Sequence, residues 1–227
     1  MNRRTASARL SARLPARLSA LAAAAGTALV AGAAPALAAP TQAPDQAPAP
    51  AVAHGAAHSG SFARLHAIAA LSAERLATAD LVAASKWGTD RPIDDPAREQ
   101  VVLESVRAQA VELGADPEAT VRIFRDQIEA NKLVQRGLYR LWTADPAKAP
   151  VERPDLAKVR EEINRINTAL VRAIADSERA RSAEYCRAVL AVAAFQVRHE
   201  KGLDRLHSQG LVRAVPSVCA AGDRTGD

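Results

Sequence analysis

Aromatic residues are scarce in this chain: three Phe, two Trp and two Tyr make up 3% of its 227 residues. Ala, Leu and Val dominate the hydrophobic fraction, a composition that favours helices over sheets, because sheets are enriched in β-branched and aromatic residues. The sequence also lacks a glycine-rich phosphate loop, an alternation of strands with helices, and an internal repeat. These absences argue against nucleotide-binding α/β folds and repeat proteins. We predict an all-α, single-domain bundle of about six helices.

Acidic residues are missing from the first 38 positions, which contain five arginines. An apolar run begins at Leu18, and Ala36-Leu37-Ala38 has the small residues of a cleavage site. This order is typical of a secretory signal peptide. We therefore predict a signal peptide over 1–38 and export of the protein to a periplasm or out of the cell. An uncleaved membrane anchor is the alternative, but the run is rich in Ala and Gly and is interrupted by Pro35.

The net charge of +5 comes from that first segment, because the rest of the chain has 25 basic and 25 acidic residues. Nucleic-acid and membrane-surface binding normally need a basic patch or stripe. We therefore predict no nucleic-acid partner, and no membrane partner after signal cleavage. A homodimer is left open by the sequence.

Residues 39–60 are rich in Ala, Pro, Gln, His and Gly, which predicts a linker. His54 and His58 lie in it four residues apart, but a metal site needs a preformed frame, so we predict no metal ion there. From Ser61 onward the apolar spacing is helical, and we predict the folded domain over 61–227. The predicted helices cover about 61–87, 94–114, 117–142, 156–181 and, in one or two pieces with a break near Gly202, 183–215.

Only two cysteines are present, Cys186 and Cys219. Cysteines of an exported protein usually pair, and this bridge would close a loop of about 34 residues, worth roughly 3–4 kcal/mol in the chain-entropy model. A thiol nucleophile is the alternative, although no CxxC or Cys/His motif surrounds either residue.

Several predicted helices have polar residues on a face that should be apolar. Arg75 and Lys86 are eleven residues, or about three turns, apart on the first helix, so both point inward. Asn131 and Gln135 are one turn apart on the third helix, between apolar neighbours. Arg160 shares a face with apolar residues of the fourth helix.

The start of the second helix adds Asp95, Arg98 and Glu99, spaced three and four residues apart. Each polar residue has an ordinary explanation: a lone arginine usually extends to the rim, and these acids would favour the helix dipole or pair with Arg98. Together, however, four cations and two amides would meet with at most two nearby acids. Buried cations without counter-charge cost several kcal/mol each, and arginine forks match carboxylates. The set predicts a pocket between helices for a small dianion.

The order and spacing of these residues resemble the secreted subclass of all-helical chorismate mutases over about 62–220. The two cysteines also match the spacing of that subclass's disulfide. The segments that carry the resemblance are Ala73-Glu74-Arg75-Leu76, Lys86-Trp87, Pro92-Ile93-Asp94-Asp95 with Arg98, Phe124-Arg125-Asp126-Gln127-Ile128-Glu129-Ala130-Asn131 with Gln135, and Pro154-Asp155-Leu156 with Arg160.

The resemblance implies a role for each cation. Arg75 and Arg160 would bind one carboxylate of the substrate, chorismate, and Arg98 the other. Lys86 and Gln135 would hydrogen-bond the ether oxygen whose C–O bond breaks. Lys86, Gln135 and Arg98 are therefore the predicted catalytic residues.

The resemblance also implies that Asp95 and Glu99 hold the ring-hydroxyl region, while Asn131 contacts a carboxylate or an ordered water. Asn131 stands where relatives have a small hydroxyl residue, and Val102 where some keep a polar group. Gln135 stands where some secreted relatives have glutamate, so we expect activity without a requirement for acid pH.

The implied reaction is a concerted [3,3] rearrangement of chorismate to prephenate that needs no cofactor and no metal. A pyruvate-eliminating lyase acting on isochorismate is an alternative on the same fold. A non-catalytic exported binding protein is another. In a third, purely structural bundle, the cations would pair with acids such as Glu74, Asp80 and Glu129.

Overall fold

In the computed structural model, the described residues are 51–220, with side chains from Gly60 onward. The predicted signal peptide and the predicted linker up to Pro50 lie outside them. The described residues belong to one compact unit, and their regular structure is entirely helical, which confirms the predicted fold class. The α-helices are α1 (Ala51–Lys86), α2 (Pro96–Glu112), α3 (Pro117–Ala144), α4 (Leu156–Asp176), α5 (Glu178–Ser182), α6 (Cys186–Glu200) and α7 (Arg205–Ala214), and a 3-10 turn covers Pro146–Lys148.

Aspartate caps begin the helices that carry the site. Asp116 accepts hydrogen bonds from two main-chain N–H groups at the start of α3, and Asp155 accepts one at the start of α4. Asp95 caps α2 in the same way and is followed by a proline at the first helical position. Such caps satisfy N–H groups that have no partner within the helix, so the Asp-Pro and Asp-Leu sequences fix these helix starts.

Two helix boundaries differ from the predicted ones. The first helix begins at Ala51 rather than at about residue 61, so 51–60 are helical instead of linker. Pro50 is the last proline before the helix, and the alanines that follow have the highest helix propensity. The predicted helix 156–181 is interrupted at Ser177, whose buried hydroxyl donates to the carbonyl of Ile174 and so competes with the helical hydrogen bonds.

Helix α1 runs through the centre of the bundle and packs against α3, α4, α6 and α7. Near its middle, Leu65 and Ile68 are fully buried in one apolar cluster, while Leu76 belongs to a second cluster with Leu211 of α7. Gly210 permits the close approach of α7, because a Cβ there would lie 2.7 Å from a methyl carbon of Leu76. This packing buries most of α1 and leaves one stripe exposed that includes Ala67, Ala77 and Leu81, so polar residues on its other faces, such as Arg75, are buried.

The disulfide between Cys186 and Cys219 joins the start of α6 to the C-terminal segment. It confirms the predicted pairing and excludes the thiol nucleophile. None of the helices within 51–220 has the length and apolarity needed to cross a membrane.

Candidate active site

One cavity between α1, α2, α3 and α4 brings together all of the predicted site residues. The cavity and its open mouth enclose about 680 Å³ of empty space. Apolar side chains such as Val82, Ile128 and Ile163 form the rest of the wall. The predicted residues that line it are Arg75, Lys86, Asp95, Arg98, Glu99, Asn131, Gln135 and Arg160.

Arg75 is buried on α1 with only 5% of its surface exposed. Its Nε donates to Oδ1 of Asn167 at 2.9 Å, and a terminal nitrogen donates to the carbonyl oxygen of Gln127 at 2.9 Å. Both acceptors are neutral, so the guanidinium charge has no counter-charge from them. Burial lowers the pKa of Arg75 to about 10, which leaves the side chain cationic at neutral pH.

Lys86 ends α1 and is also buried. Its ammonium donates to the carbonyl oxygens of Pro92 at 2.8 Å and Ile93 at 3.5 Å, both in the connector between α1 and α2. Burial lowers the pKa of Lys86, an effect that the negative charge of Asp95 partly opposes. The two carbonyls aim the ammonium without neutralising it.

Arg98 and Arg160 are half-buried at the cavity wall. Within the described part of the chain, neither guanidinium has a hydrogen-bond or ion-pair partner. Arg160 is close enough to contribute to the lowered pKa of Lys86. Two arginines and one lysine thus face the cavity together with the buried Arg75, and none of the four forms an ion pair with a carboxylate of the described residues.

The three acids that a purely structural bundle would use are paired with basic residues other than the four predicted cations. Glu74 pairs with Arg165, Asp80 with His207, and Glu129 with Lys132. The hypothesis that Glu74, Asp80 and Glu129 pair with Arg75, Lys86, Arg98 and Arg160 is therefore wrong.

Asn131 and Gln135 are both buried and directly bonded. Nε2 of Gln135 donates to Oδ1 of Asn131 at 2.7 Å, and Nδ2 of Asn131 donates to the carbonyl oxygen of Arg75 at 3.4 Å. Oε1 of Gln135 is buried without a partner among the described residues. An unpaired buried polar atom lowers the stability of a fold, so a purely structural role does not account for this amide pair. The unpaired oxygen can accept a hydrogen bond at the cavity.

The two acids of the cavity do not pair with the side chain of Arg98. Asp95 accepts a hydrogen bond from the main-chain N–H of Arg98 as the cap of α2. Glu99 accepts one from Lys132 at 3.1 Å. The alternative of an acid pair for the Arg98 guanidinium is therefore wrong. Asp95 instead caps α2, a position that is consistent with the predicted favourable interaction with the helix dipole.

Two residues of the site escaped sequence reasoning. Lys132 lines the cavity, but two of its three carboxylate partners, Glu99 and Asp94, lie on other elements, so local spacing does not place it at the site. Asn167 lies seven residues after Arg160 on the same helix face, and this spacing indicates that it points inward but not that it accepts a hydrogen bond from Arg75. No group of three or more potential metal ligands was found within 51–220.

Comparison with known proteins agrees with this geometry. A family model described as chorismate mutase type II matches residues 66–136, which include every predicted site residue except Arg160. A secreted chorismate mutase of Mycolicibacterium smegmatis is 37% identical over 148 residues, covering 65% of this chain and 82% of that protein. The secreted chorismate mutase of Mycobacterium tuberculosis is 35% identical over 150 residues, covering 66% of this chain and 75% of that protein.

A solved structure shows the same likeness in three dimensions. The chorismate mutase of Burkholderia phymatum superposes with a TM-score of 0.67 at 35% identity, covering 71% of this chain and 99% of that one. The fold and the cationic cavity thus define an all-helical enzyme of the mutase class. The chain belongs to the chorismate mutase family.

Proposed function

We propose that this chain is an exported chorismate mutase that rearranges chorismate to prephenate without a cofactor. The observation that carries the proposal is the convergence of Arg75, Lys86, Arg98 and Arg160 on one cavity, where none of them is ion-paired with a carboxylate of the part of the chain that the structure describes. A substrate with two carboxylates supplies the missing negative charge. The similarity to secreted chorismate mutases names that substrate.

Carboxylate binding falls to the three arginines. Arg75 and Arg160 approach the cavity from α1 and α4 and bind one carboxylate, and Arg98 from α2 binds the other. Arginine suits this task because its planar fork donates two parallel hydrogen bonds to a carboxylate. Because the neutral Asn167 fixes Nε of Arg75, the orientation of that guanidinium is set before the substrate arrives.

Rate acceleration comes from two effects. The arginines hold the enolpyruvyl group over the ring in the reactive diaxial geometry, which removes the entropy cost of reaching it. As the C–O bond breaks, negative charge builds on the ether oxygen, where Lys86 and Gln135 donate hydrogen bonds. The carbonyls of Pro92 and Ile93 hold Lys86 in advance, so this stabilisation is preorganised.

The remaining polar residues position the ring and the donors. Asp95 and Glu99 face the ring hydroxyl, and Asn131 orients Gln135 through their shared hydrogen bond. The resemblance implies instead that Asn131 contacts a carboxylate of the substrate or an ordered water. The free acceptor Oε1 of Gln135 leaves room for such a water.

Export rests on three observations that point the same way: a disulfide, relatives named as secreted, and a signal-peptide pattern over 1–38. Disulfides persist mainly in oxidising compartments. A homodimer, and the absence of nucleic-acid and membrane partners, stay predictions.

The test is product analysis with purified 39–227. Added chorismate should disappear and prephenate should form, without added metal or cofactor. Salicylate and pyruvate from isochorismate would instead indicate the lyase, and stable chorismate would indicate a binding protein. The matched variants are Lys86→Ala, which should lose most of its activity, and Lys148→Ala, which removes an exposed lysine that pairs with Asp145.

A further inference from the structure

Lys132 differs from every other cation of the cavity in its surroundings. It lines the cavity from α3 with 11% of its side chain exposed, and its ammonium contacts three carboxylates. Glu129 lies on the same helix at 2.6 Å, Glu99 on α2 at 3.1 Å, and Asp94 in the connector at 3.3 Å. One lysine therefore joins three separate elements at the edge of the site.

The network continues to Arg136, one turn further along α3. Arg136 also binds Asp94, at 2.7 Å, so this carboxylate is held by two cations of one helix. Burial alone would lower the pKa of Lys132, but the hydrogen bonds to Glu129, Glu99 and Asp94 raise it above the ordinary lysine value. Lys132 is thus a fixed, charged group.

The charge of the proposed substrate explains why the pairing of Lys132 with Glu99 matters. A dianionic ligand must approach Glu99, whose carboxylate belongs to the cavity wall. A bare carboxylate there would repel the ligand, whereas a carboxylate bound to Lys132 carries little net charge toward it. Asp94 directly follows Pro92 and Ile93, whose carbonyl oxygens bind the ammonium of Lys86. Because Lys132 binds Asp94, it also anchors the connector that orients Lys86.

We propose that Lys132 is a positioning residue that neutralises and orients Glu99 and anchors Asp94, so that the cavity admits a dianion. It acts on substrate binding rather than on the bond-breaking step, because its ammonium is occupied by protein carboxylates and not aimed at the reacting atoms. This inference rests on the proposed function, since it concerns the same site and the same substrate class.

Steady-state kinetics with chorismate test the inference. Lys132→Met should raise KM about tenfold, a typical effect of removing the interaction between two contacting residues. It should change kcat by less than about threefold. Lys132→Arg keeps the charge and should recover most of the wild-type KM. Lys148→Met is the control for loss of a lysine that does not line the cavity, and Arg136→Met removes one anchor of Asp94 without touching Glu99.

Measuring the effect of Lys132→Met on KM in the Glu99→Gln variant as well as in the wild type separates a positioning role from a general loss of structure. Glutamine keeps the hydrogen-bonding shape but has no charge to neutralise, so Lys132→Met should raise KM far less in Glu99→Gln than in the wild type. An equal rise in both backgrounds, or a fall in kcat with KM unchanged, would overturn the proposal. Lys132→Gln serves as the second variant if circular dichroism shows that Lys132→Met does not fold.

Failure of this inference is distinguishable from failure of the proposed function. If wild-type protein forms no prephenate, the function fails. If wild-type protein is active and Lys132→Met has the same KM, only the role of Lys132 fails.

Discussion

Nε2 of Gln135 lies 2.7 Å from Oδ1 of Asn131, one helical turn earlier on α3, and donates a hydrogen bond to it. This contact fixes the amide of Gln135, because Asn131 is itself held by the main chain of Arg75. One N–H of Gln135 is used by the protein, and the other has no partner among residues 60–220 and can donate to a bound substrate. A glutamine makes this donation at any pH, whereas a carboxylate cannot donate.

The first prediction follows from that difference. The wild-type enzyme should keep a nearly constant kcat/KM from about pH 5 to 8, where amides do not titrate. Gln135→Glu should be active only where the new carboxyl is protonated, so its kcat/KM should fall as pH rises. A pH series of initial rates on both proteins measures this. An equally flat profile for Gln135→Glu would show that position 135 does not donate to the reacting oxygen.

Removal of the ammonium at position 86 gives the second prediction. Lys86→Ala should lower kcat on the order of 10²–10³, the usual loss for one preorganised donor. The melting temperature should change little by comparison, because the ammonium binds only carbonyls of the adjacent connector. Initial rates together with thermal melts check both statements, and wild-type turnover in Lys86→Ala would remove Lys86 from the mechanism.

Sequence periodicity could predict most of the residues of the site. Arg75 and Lys86 lie eleven residues apart on one helix, and that spacing alone indicates that both face inward. The spacing of Asn131 and Gln135 works in the same way. These features depend only on helical geometry within one element.

Interactions between elements could not be predicted in this way. Lys132 binds Glu99 and Asp94, which are 33 and 38 positions away, and nothing in the local sequence selects these partners. The start of α1 was missed for a different reason: composition predicts a linker where the absence of proline after Pro50 permits a helix. The break at Ser177 depends on the burial of one hydroxyl, which only the packed structure fixes.

The third prediction concerns the disulfide. Replacing both Cys186 and Cys219 by serine should lower the free energy of unfolding by about 3–4 kcal/mol, the value for a loop of this length. Neither residue lines the catalytic cavity, so KM for chorismate should stay close to the wild-type value in the folded enzyme. Urea unfolding and steady-state kinetics on the double variant measure the two quantities. A large rise in KM with unchanged stability would contradict both expectations.

The fourth prediction arises at the contact of α7 with α1. His207 bonds through Nε2 to Asp80 of α1 at 3.1 Å and through Nδ1 to Asp204 at 2.9 Å. The hydrogen bond to Asp80 raises the pKa of His207 to about 9, with burial opposing the rise and Asp204 adding to it. Asp80 lies between Arg75 and Lys86 in the sequence of α1, so this charged pair fastens α7 to the helix that carries the site.

The sign of the pH effect follows from the raised pKa. The folded protein holds the His207 proton more tightly than the unfolded chain, so the contribution is complete below the unfolded value of 6.5 and is lost as pH rises toward 9. We expect the free energy of unfolding to fall by about 1–2 kcal/mol over that range, less than the full shift implies, because Asp80 is half exposed and Asp204 is exposed to screening solvent.

His207→Gln should abolish that fall, because glutamine does not titrate over this range. The matched control is His66→Gln, which removes a histidine whose carboxylate partner Glu200 is at the surface, and for which the slope should persist. Urea unfolding at a series of pH values measures the slope for all three proteins. If His207→Gln loses stability with the same slope as the wild type, the contact with Asp80 does not titrate with folding and contributes only through packing.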